Sequence, residues 1–198
     1  TARGLVELAT DEEAQEGLDN ERAVTPAAGA AAYIAQGKHS IWLPASCWWG
    51  LDIDERSLTS FELPVLAYSG SVAETAATFV PMPKSWDRNA LTYRVYWTGP
   101  AGAGAVVFQL SATAYSDDDP MPGTLGSAVS VSDTFIAAAD LHITAESSAV
   151  TVGGSPAEAD GVVLRLGRNP SDVNDTKAED AQVFGVMLYY GIDARNDA

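Results

Sequence analysis

Leu91-Thr-Tyr-Arg-Val-Tyr-Trp97 and, after Gly99-Pro-Ala-Gly-Ala-Gly104, Val106-Val-Phe-Gln-Leu-Ser-Ala-Thr-Ala-Tyr115 decide the fold of this chain. Positions 91, 93, 95 and 97 are apolar or aromatic, with Thr92, Arg94 and Tyr96 between them. A period of two belongs to a strand with one face buried. Val106, Phe108, Leu110, Ala112 and Ala114 alternate likewise with Val107, Gln109, Ser111, Thr113 and Tyr115. The two runs match as the arms of a hairpin. The glycines between them are no dinucleotide fingerprint: their order is wrong, and a strand rather than a helix follows.

The same reading extends outward. Phe61 to Tyr68 reads as a strand that Pro64 confines to an edge or a bulge, and Ala77 to Val80 as another. Residues 51–60 are charged and read as a loop. Segments 127–136 and 141–152 give further strands, with a helical turn expected at Ala137 to Ala139. His142 falls out of phase with Leu141 and Ile143 and is expected to face solvent. Val162, Leu164 and Leu166 form a strand, and 167–176 a long polar loop. Gln182 to Ile192 is apolar on both faces, which suits a strand in the middle of a sheet. About eight to ten strands with no helix-period segment after residue 40 predict a mainly β fold, a jelly-roll-like antiparallel β-sandwich over residues 40–198.

Composition sets limits. The 198 residues carry a formal net charge of −16, with 27 acidic and 11 basic side chains. That balance argues against nucleic acid, whose phosphates call for clustered Lys and Arg. No apolar run approaches the length of a membrane helix, so no membrane insertion is expected. The chain begins at Thr1 without an initiator methionine, as a fragment or processed product would. Cys47 is the single cysteine. It excludes an internal disulfide and a thiolate metal site, and reads as a small apolar core residue.

Three of the five tryptophans, Trp42, Trp48 and Trp49, lie within eight residues. They read as an aromatic plug or as a sugar-stacking platform, and the high average burial of tryptophan favours the plug. As candidate ligand contacts the sequence offers Trp48, Trp49, Trp86 and the acidic turn Asp117, Asp118 and Asp119. The turn lacks the ligand pattern of a helical calcium loop and reads as solvated surface. Neither His39 nor His142 sits in a triad context, and no zinc pattern or nucleophile elbow occurs. No catalytic residue, metal or cofactor is expected. Loops 83–90, 116–126 and 153–161 are the natural places for recognition.

Residues 1–39 read differently. Thr10 precedes Glu13 by three, a capping box, and Gly17 suits the position after a helix end. Thr25 and Pro26 open a second, alanine-rich helix that stops at Gly37. Both helices are short and poor in apolar bulk, so they need partners. The run of Ala9, Thr10, Glu13, Ala14, Gly17, Asp19, Arg22, Ala23, Val24, Thr25 and Pro26 resembles a small module near the ends of bacteriophage tail-fibre and related fibre proteins. The body loosely resembles phage and prophage proteins of alphaproteobacteria, through Pro83, Ser85, Trp86 and Asp87 and the Tyr93 to Trp97 strand.

The resemblance implies a strand-helix-helix fibre arm ahead of the sandwich, in a homotrimer on the surface of a virion. Leu5, Val6, Leu8, Val24, Pro26, Tyr33 and Ile34 would meet at the threefold contact. The head would then bind the host cell surface, with a glycan as ligand and other virion proteins as partners. One alternative is a capsid-attached head fibre, spike or decoration protein with a structural role. The other is a glycan depolymerase, whose acid pair would converge only in three dimensions. The arm predicts a trimer for the full chain by light scattering, and a monomer would contradict it.

Overall fold

The computed structural model describes residues 38–50, 54–58 and 63–194, together with Leu8, Ala9, Thr10, Ala14, Thr25 and Gly29. Eleven strands follow in order: β1 His39–Pro44, β2 Asp54–Leu58, β3 Leu63–Tyr68, β4 Glu74–Pro81, β5 Thr92–Thr98, β6 Ala105–Tyr115, β7 Val129–Thr134, β8 His142–Ile143, β9 Val152–Gly153, β10 Gly161–Arg168 and β11 Ala181–Tyr190. They form two sheets. The front sheet runs β2-β3-β11-β5-β8, with β1 also paired to β11; the back sheet runs β4-β10-β6-β7, with β9 on β6. All pairings are antiparallel except β6 with β9. The protein is mainly β, a jelly-roll-like sandwich.

Its core lies between the sheets. Tyr93, Val95 and Trp97 of β5 face Phe108, Leu110 and Ala112 of β6, with Leu164, Leu166, Val186 and Leu188 around them. The inward positions are those the alternation predicts. The expected hairpin is not formed: β5 pairs with β11 and β8, and β6 with β10, β7 and β9. Gly99 to Gly104 therefore crosses from one sheet to the other. Two strands that bury alternate residues in one core look alike whether they are neighbours or lie opposite each other, and periodicity does not separate the cases. The apolar run at β11 does take the middle of the front sheet, between β5 on one side and β1 and β3 on the other.

Other expectations need correction. The stretch read as a charged loop contains β2, which pairs with β3 from Asp54↔Ala67 to Leu58↔Leu63. His39 and Ser40, at the boundary expected between arm and sandwich, already pair with Tyr190 and Tyr189. Segment 141–152, read as strand, is a broken edge in which only β8 and the start of β9 are strand. Beyond β8, the Thr144 and Ser147 hydroxyls accept from the Val95 and Tyr93 amides at 3.1 and 3.0 Å, where a regular strand would offer carbonyls. Edges broken in this way resist further strand addition. Ala137 to Asp140 is a hydrogen-bonded turn, the Asp140 amide donating to the Ala137 carbonyl at 3.3 Å, but Ala139 at φ +64° takes it out of helical geometry. His142 is 5% exposed and stacks on Trp97 at 4.7 Å, while Leu141 and Ile143 face outward. The edge strand turns its imidazole inward because Trp97 and Phe135 offer it flat apolar surface.

Arg168 closes one end of the sandwich. It ends β10 at an inward position and forks onto Asp175, Nε to Oδ2 at 3.0 Å and Nη2 to Oδ1 at 2.8 Å, with both side chains out of solvent. Its other donors reach the Glu179 carbonyl at 2.8 Å, the Tyr68 carbonyl at 3.3 Å and the Lys177 carbonyl. The supposed polar loop is thus fastened by a buried charge pair with its hydrogen-bonding capacity used. Lys177 lies 4.4 Å over the Phe135 ring and donates to the Ala101 carbonyl and, at 3.1 Å, to Glu179.

Of the arm, Ala14 donates to the Thr10 carbonyl and Gly29 to the Thr25 carbonyl, at 3.0 and 2.9 Å. These are the first helical bonds expected after each cap. No helix-helix module is seen among the described residues, and the rest of both predicted helices lies outside them. Leu5, Val6, Val24, Pro26, Tyr33 and Ile34 lie outside them too; Leu8 is described and exposed.

Arg168→Met would leave the Asp175 carboxylate buried without its partner. The expected loss is about 3–5 kcal/mol of stability, measured by urea unfolding; a loss within the fitting error would show that the pair is not structural.

Candidate functional site

Ile41-Trp42-Leu43-Pro44 alternates, so Leu43 enters the core and Trp42 stands on the outer face of the front sheet. Trp42 is 42% exposed. Its ring leans across Gly185 of β11. A Cβ at Gly185 would come within 2.8 and 2.9 Å of two indole carbons and 2.5 Å of the Leu43 carbonyl oxygen. Glycine is what the position requires. Beyond it Tyr96 of β5, opposite Gly185 in register, meets the indole edge-on, with centroids 5.1 Å apart and planes at 84°. A register shift between Val183 and Gly185 marks a bulge at Phe184, and bulges re-aim side chains. Phe184 joins Trp42, Pro44, Tyr96, Leu63, Pro64, Ala139 and Leu141 around an open groove of about 440 Å³.

The groove is apolar, and Trp42 and Tyr96 supply its aromatic wall. Next to it the face becomes polar. Arg94 lies two residues before Tyr96 on the same side of β5, and Trp42, Met187 and Arg94 form one cross-strand row. The Arg94 Nε is buried and has no hydrogen-bond partner among the described residues. Glu146 accepts from Lys38 and from Thr92, the next outward residue of β5. Those two hydrogen bonds, that from Lys38 first, hold its carboxyl below the usual carboxylate range. The face therefore offers an aromatic floor beside one guanidinium and one fixed carboxylate. Such a mixture orients a ligand that has both flat apolar surface and hydroxyls.

The residues singled out in the sequence are not brought together. Trp48 and Trp86 are each 1% exposed and belong to the core, where neither shows a face to a ligand. Trp48 donates to the Leu43 carbonyl at 3.3 Å. Its neighbour Trp49 points the opposite way, 79% exposed on the back sheet. Asp117, Asp118 and Asp119 are exposed in the turn after β6, where Asp119 accepts from the Ser116 amide at 2.8 Å and Asp118 has φ +65°. Among the described residues no three His, Cys, Asp or Glu side chains gather as a metal site. Cys47 is half-buried, and burial pushes its thiol up despite a hydrogen bond with Thr78. The sequence reading placed Trp42 only within the three-tryptophan plug or platform and did not single out Tyr96 or Phe184. The signal was present for two of them, because the phase that sends Leu43, Val95 and Trp97 inward sends Trp42 and Tyr96 outward.

Fold and groove together define a β-sandwich with an open apolar groove on the outer face of its front sheet. No protein-family model matches the chain, and comparison with curated proteins finds no match. Among solved structures it is similar to a CBM35 from Cellvibrio japonicus Abf62, at 9% identity over 77% of this chain and 94% of that one, TM-score 0.47. It is similar to the family 11 carbohydrate-binding module from Clostridium thermocellum in complex with a β-1,3-1,4-mixed-linked tetrasaccharide, at 11% identity over 78% and 98%, TM-score 0.45. It is also similar to the structure of infectious bursal disease virus, Gx strain, at 8% identity over 81% and 33%, TM-score 0.41. Likenesses this distant carry no conclusion about what this chain binds.

The two kinds of tryptophan differ in what their removal costs. Trp48→Ala or Trp86→Ala is expected to destabilise the fold by about 3–5 kcal/mol, and Trp49→Ala by less than about 1 kcal/mol. Chemical denaturation of the three variants tests this, and equal losses would contradict the assignment of core and surface.

Proposed function

We infer that this chain is a glycan-binding protein whose sandwich is the non-catalytic head of a bacteriophage virion fibre, with the ligand lying over the Trp42–Tyr96 face. The carrying observation is the half-exposed Trp42, seated on Gly185 beside Tyr96, above an open groove and next to an unsatisfied Arg94 donor. A pyranose has an apolar C–H face and a hydroxyl rim. The face would stack on the ring, and the rim would meet Arg94 and Glu146. Among the described residues no carboxylate lines the groove, which supports binding over depolymerisation, since glycoside hydrolysis needs an acid pair across the bond. The place on a virion fibre, and the homotrimer, rest on the resemblance of residues 9–26.

The structural alternative has support of its own. Leu63, Pro64 and Leu141 give the groove an aliphatic rim that would also suit contact with another virion protein. The two readings differ in what the isolated protein does. Titration calorimetry against neutral host-surface oligosaccharides is expected to find a ligand, and Trp42→Ala to weaken it about tenfold or more. If no oligosaccharide binds and the full chain leaves phage adsorption unchanged as a competitor, the receptor reading is wrong and the structural one stands.

A further inference from the structure

The back sheet has an outer face of its own, and its chemistry differs from that of the front. Trp49 is bridged to Ala77 of β4, and its amide donates to the Ala77 carbonyl at 2.8 Å, with the reverse bond at 2.7 Å. Ala77 in turn lies opposite Arg165 of β10. Residues opposite each other in antiparallel strands point to the same side. Trp49, Ala77 and Arg165 therefore form one row across the outer face, with the smallest side chain in the middle. Two strand spacings separate the ends, about 10 Å. In the next row Phe79 faces Val163. Phe79 is exposed, and its ring covers Gly161, where a Cβ would collide with it. Cys47, Trp49, Phe79, Met121 and Val163 wall an open hollow of about 460 Å³.

Charge is what sets this face apart. The chain carries 27 acidic side chains against 11 basic. Lys38, Lys84, Arg88, Arg168 and Lys177 each have a carboxylate partner. Arg165 is exposed and makes no hydrogen bond or ion pair among the described residues. The outward positions of β4, β10, β6 and β7 hold Ser, Thr, Gln, Gly, Pro, Arg and apolar or aromatic residues, and no carboxylate. Asp133 of β7 points inward, to the Trp97 indole. In the acidic turn 117–119, Asp119 is turned back onto its own loop, accepting from the Ser116 amide. In so acidic a protein, a sheet face free of carboxylate around an unpaired guanidinium suits an anion.

We propose that the outer face of the back sheet is a second binding site, for an acidic saccharide that stacks a sugar ring on Trp49 and places a carboxylate on Arg165. A guanidinium matches a carboxylate with two parallel hydrogen bonds. A single cation beside an aromatic plane does not suit a polyphosphate, which would need several cations against the net charge of −16. The flat row with alanine at its centre fits a ligand lying along the sheet, with its ring and its acid about one disaccharide apart. The site stands on the opposite sheet from Trp42, so its success or failure is independent of the front-face reading.

The full chain would be titrated with trigalacturonate and with its neutral galactose counterpart. The acidic ligand is expected to bind and the neutral one to bind this face at least about tenfold more weakly. Arg165→Gln and Trp49→Ala should each weaken trigalacturonate about tenfold or more, while Val173→Ala, exposed on the 169–180 connection, leaves it unchanged. Both substituted side chains are exposed, and Arg165→Lys should restore part of the affinity. The proposal is overturned if trigalacturonate does not bind, or if it binds equally to Arg165→Gln and Trp49→Ala. A change of oligomeric state in Trp49→Ala without any effect on saccharide binding would also overturn it, and would give the face to self-association.

Discussion

The fork of Arg168 onto Asp175 is the constraint on which the two sheets depend. One guanidinium from the back sheet holds a carboxylate, a carbonyl of β3 in the front sheet, and two carbonyls of the segment that leads into β11. The Asp175 carboxylate it grips also accepts from the Val107 amide of β6, at 2.9 Å. The 169–180 connection thereby runs along the end of β6 and delivers β11 at a fixed height. β11 is the middle strand of the front sheet and carries Phe184, Gly185 and Met187. A buried ion pair of this kind adds little net stability over an apolar pair of the same shape. Its value here is register: a slip of β11 by one residue would remove the glycine from beneath Trp42.

The two outer faces follow from the same core. Each strand buries alternate residues and presents the others, and the two sheets present different things. The front face sets a tryptophan and a tyrosine beside an arginine whose Nε lacks a partner among the described residues, with a lysine-held glutamate at its margin. The back face sets an exposed tryptophan in line with an arginine that has no ion-pair partner among the described residues. In both cases a small residue, Gly185 or Ala77, lies between the aromatic and the next strand and keeps the surface flat.

Much of this was legible in the sequence, and the limits have physical causes. The phase of Leu91 to Trp97 assigned Tyr93, Val95 and Trp97 to the core and Arg94 and Tyr96 to the surface, which is where they lie. The double-sided apolar run at 182–192 marked the central strand. Adjacency was not legible. β5 and β6 read as a hairpin because both face one core, and nothing in a period of two says from which side. Arg168 read as loop because its burial depends on Asp175 and on the carbonyls of Tyr68, Lys177 and Glu179. His142 read as exposed because its neighbours Leu141 and Ile143 look like core residues, yet a two-residue edge strand leaves them outside. Trp48 and Trp49 are adjacent and alike in composition. The bridge of Trp49 to Ala77 places one inside and the other out, and that bridge is tertiary information.

Indole resonances provide the most direct test of the central account, that the Trp42 face is where a neutral glycan lies. The five tryptophan Nε1–H signals can be assigned by single substitutions and followed while the full chain is titrated with a binding neutral oligosaccharide. The account predicts a saturating shift at Trp42, with Trp48, Trp86 and Trp97 unmoved in the core. Saturating shifts confined to Trp49, or no shift at any indole while calorimetry reports binding, would contradict it.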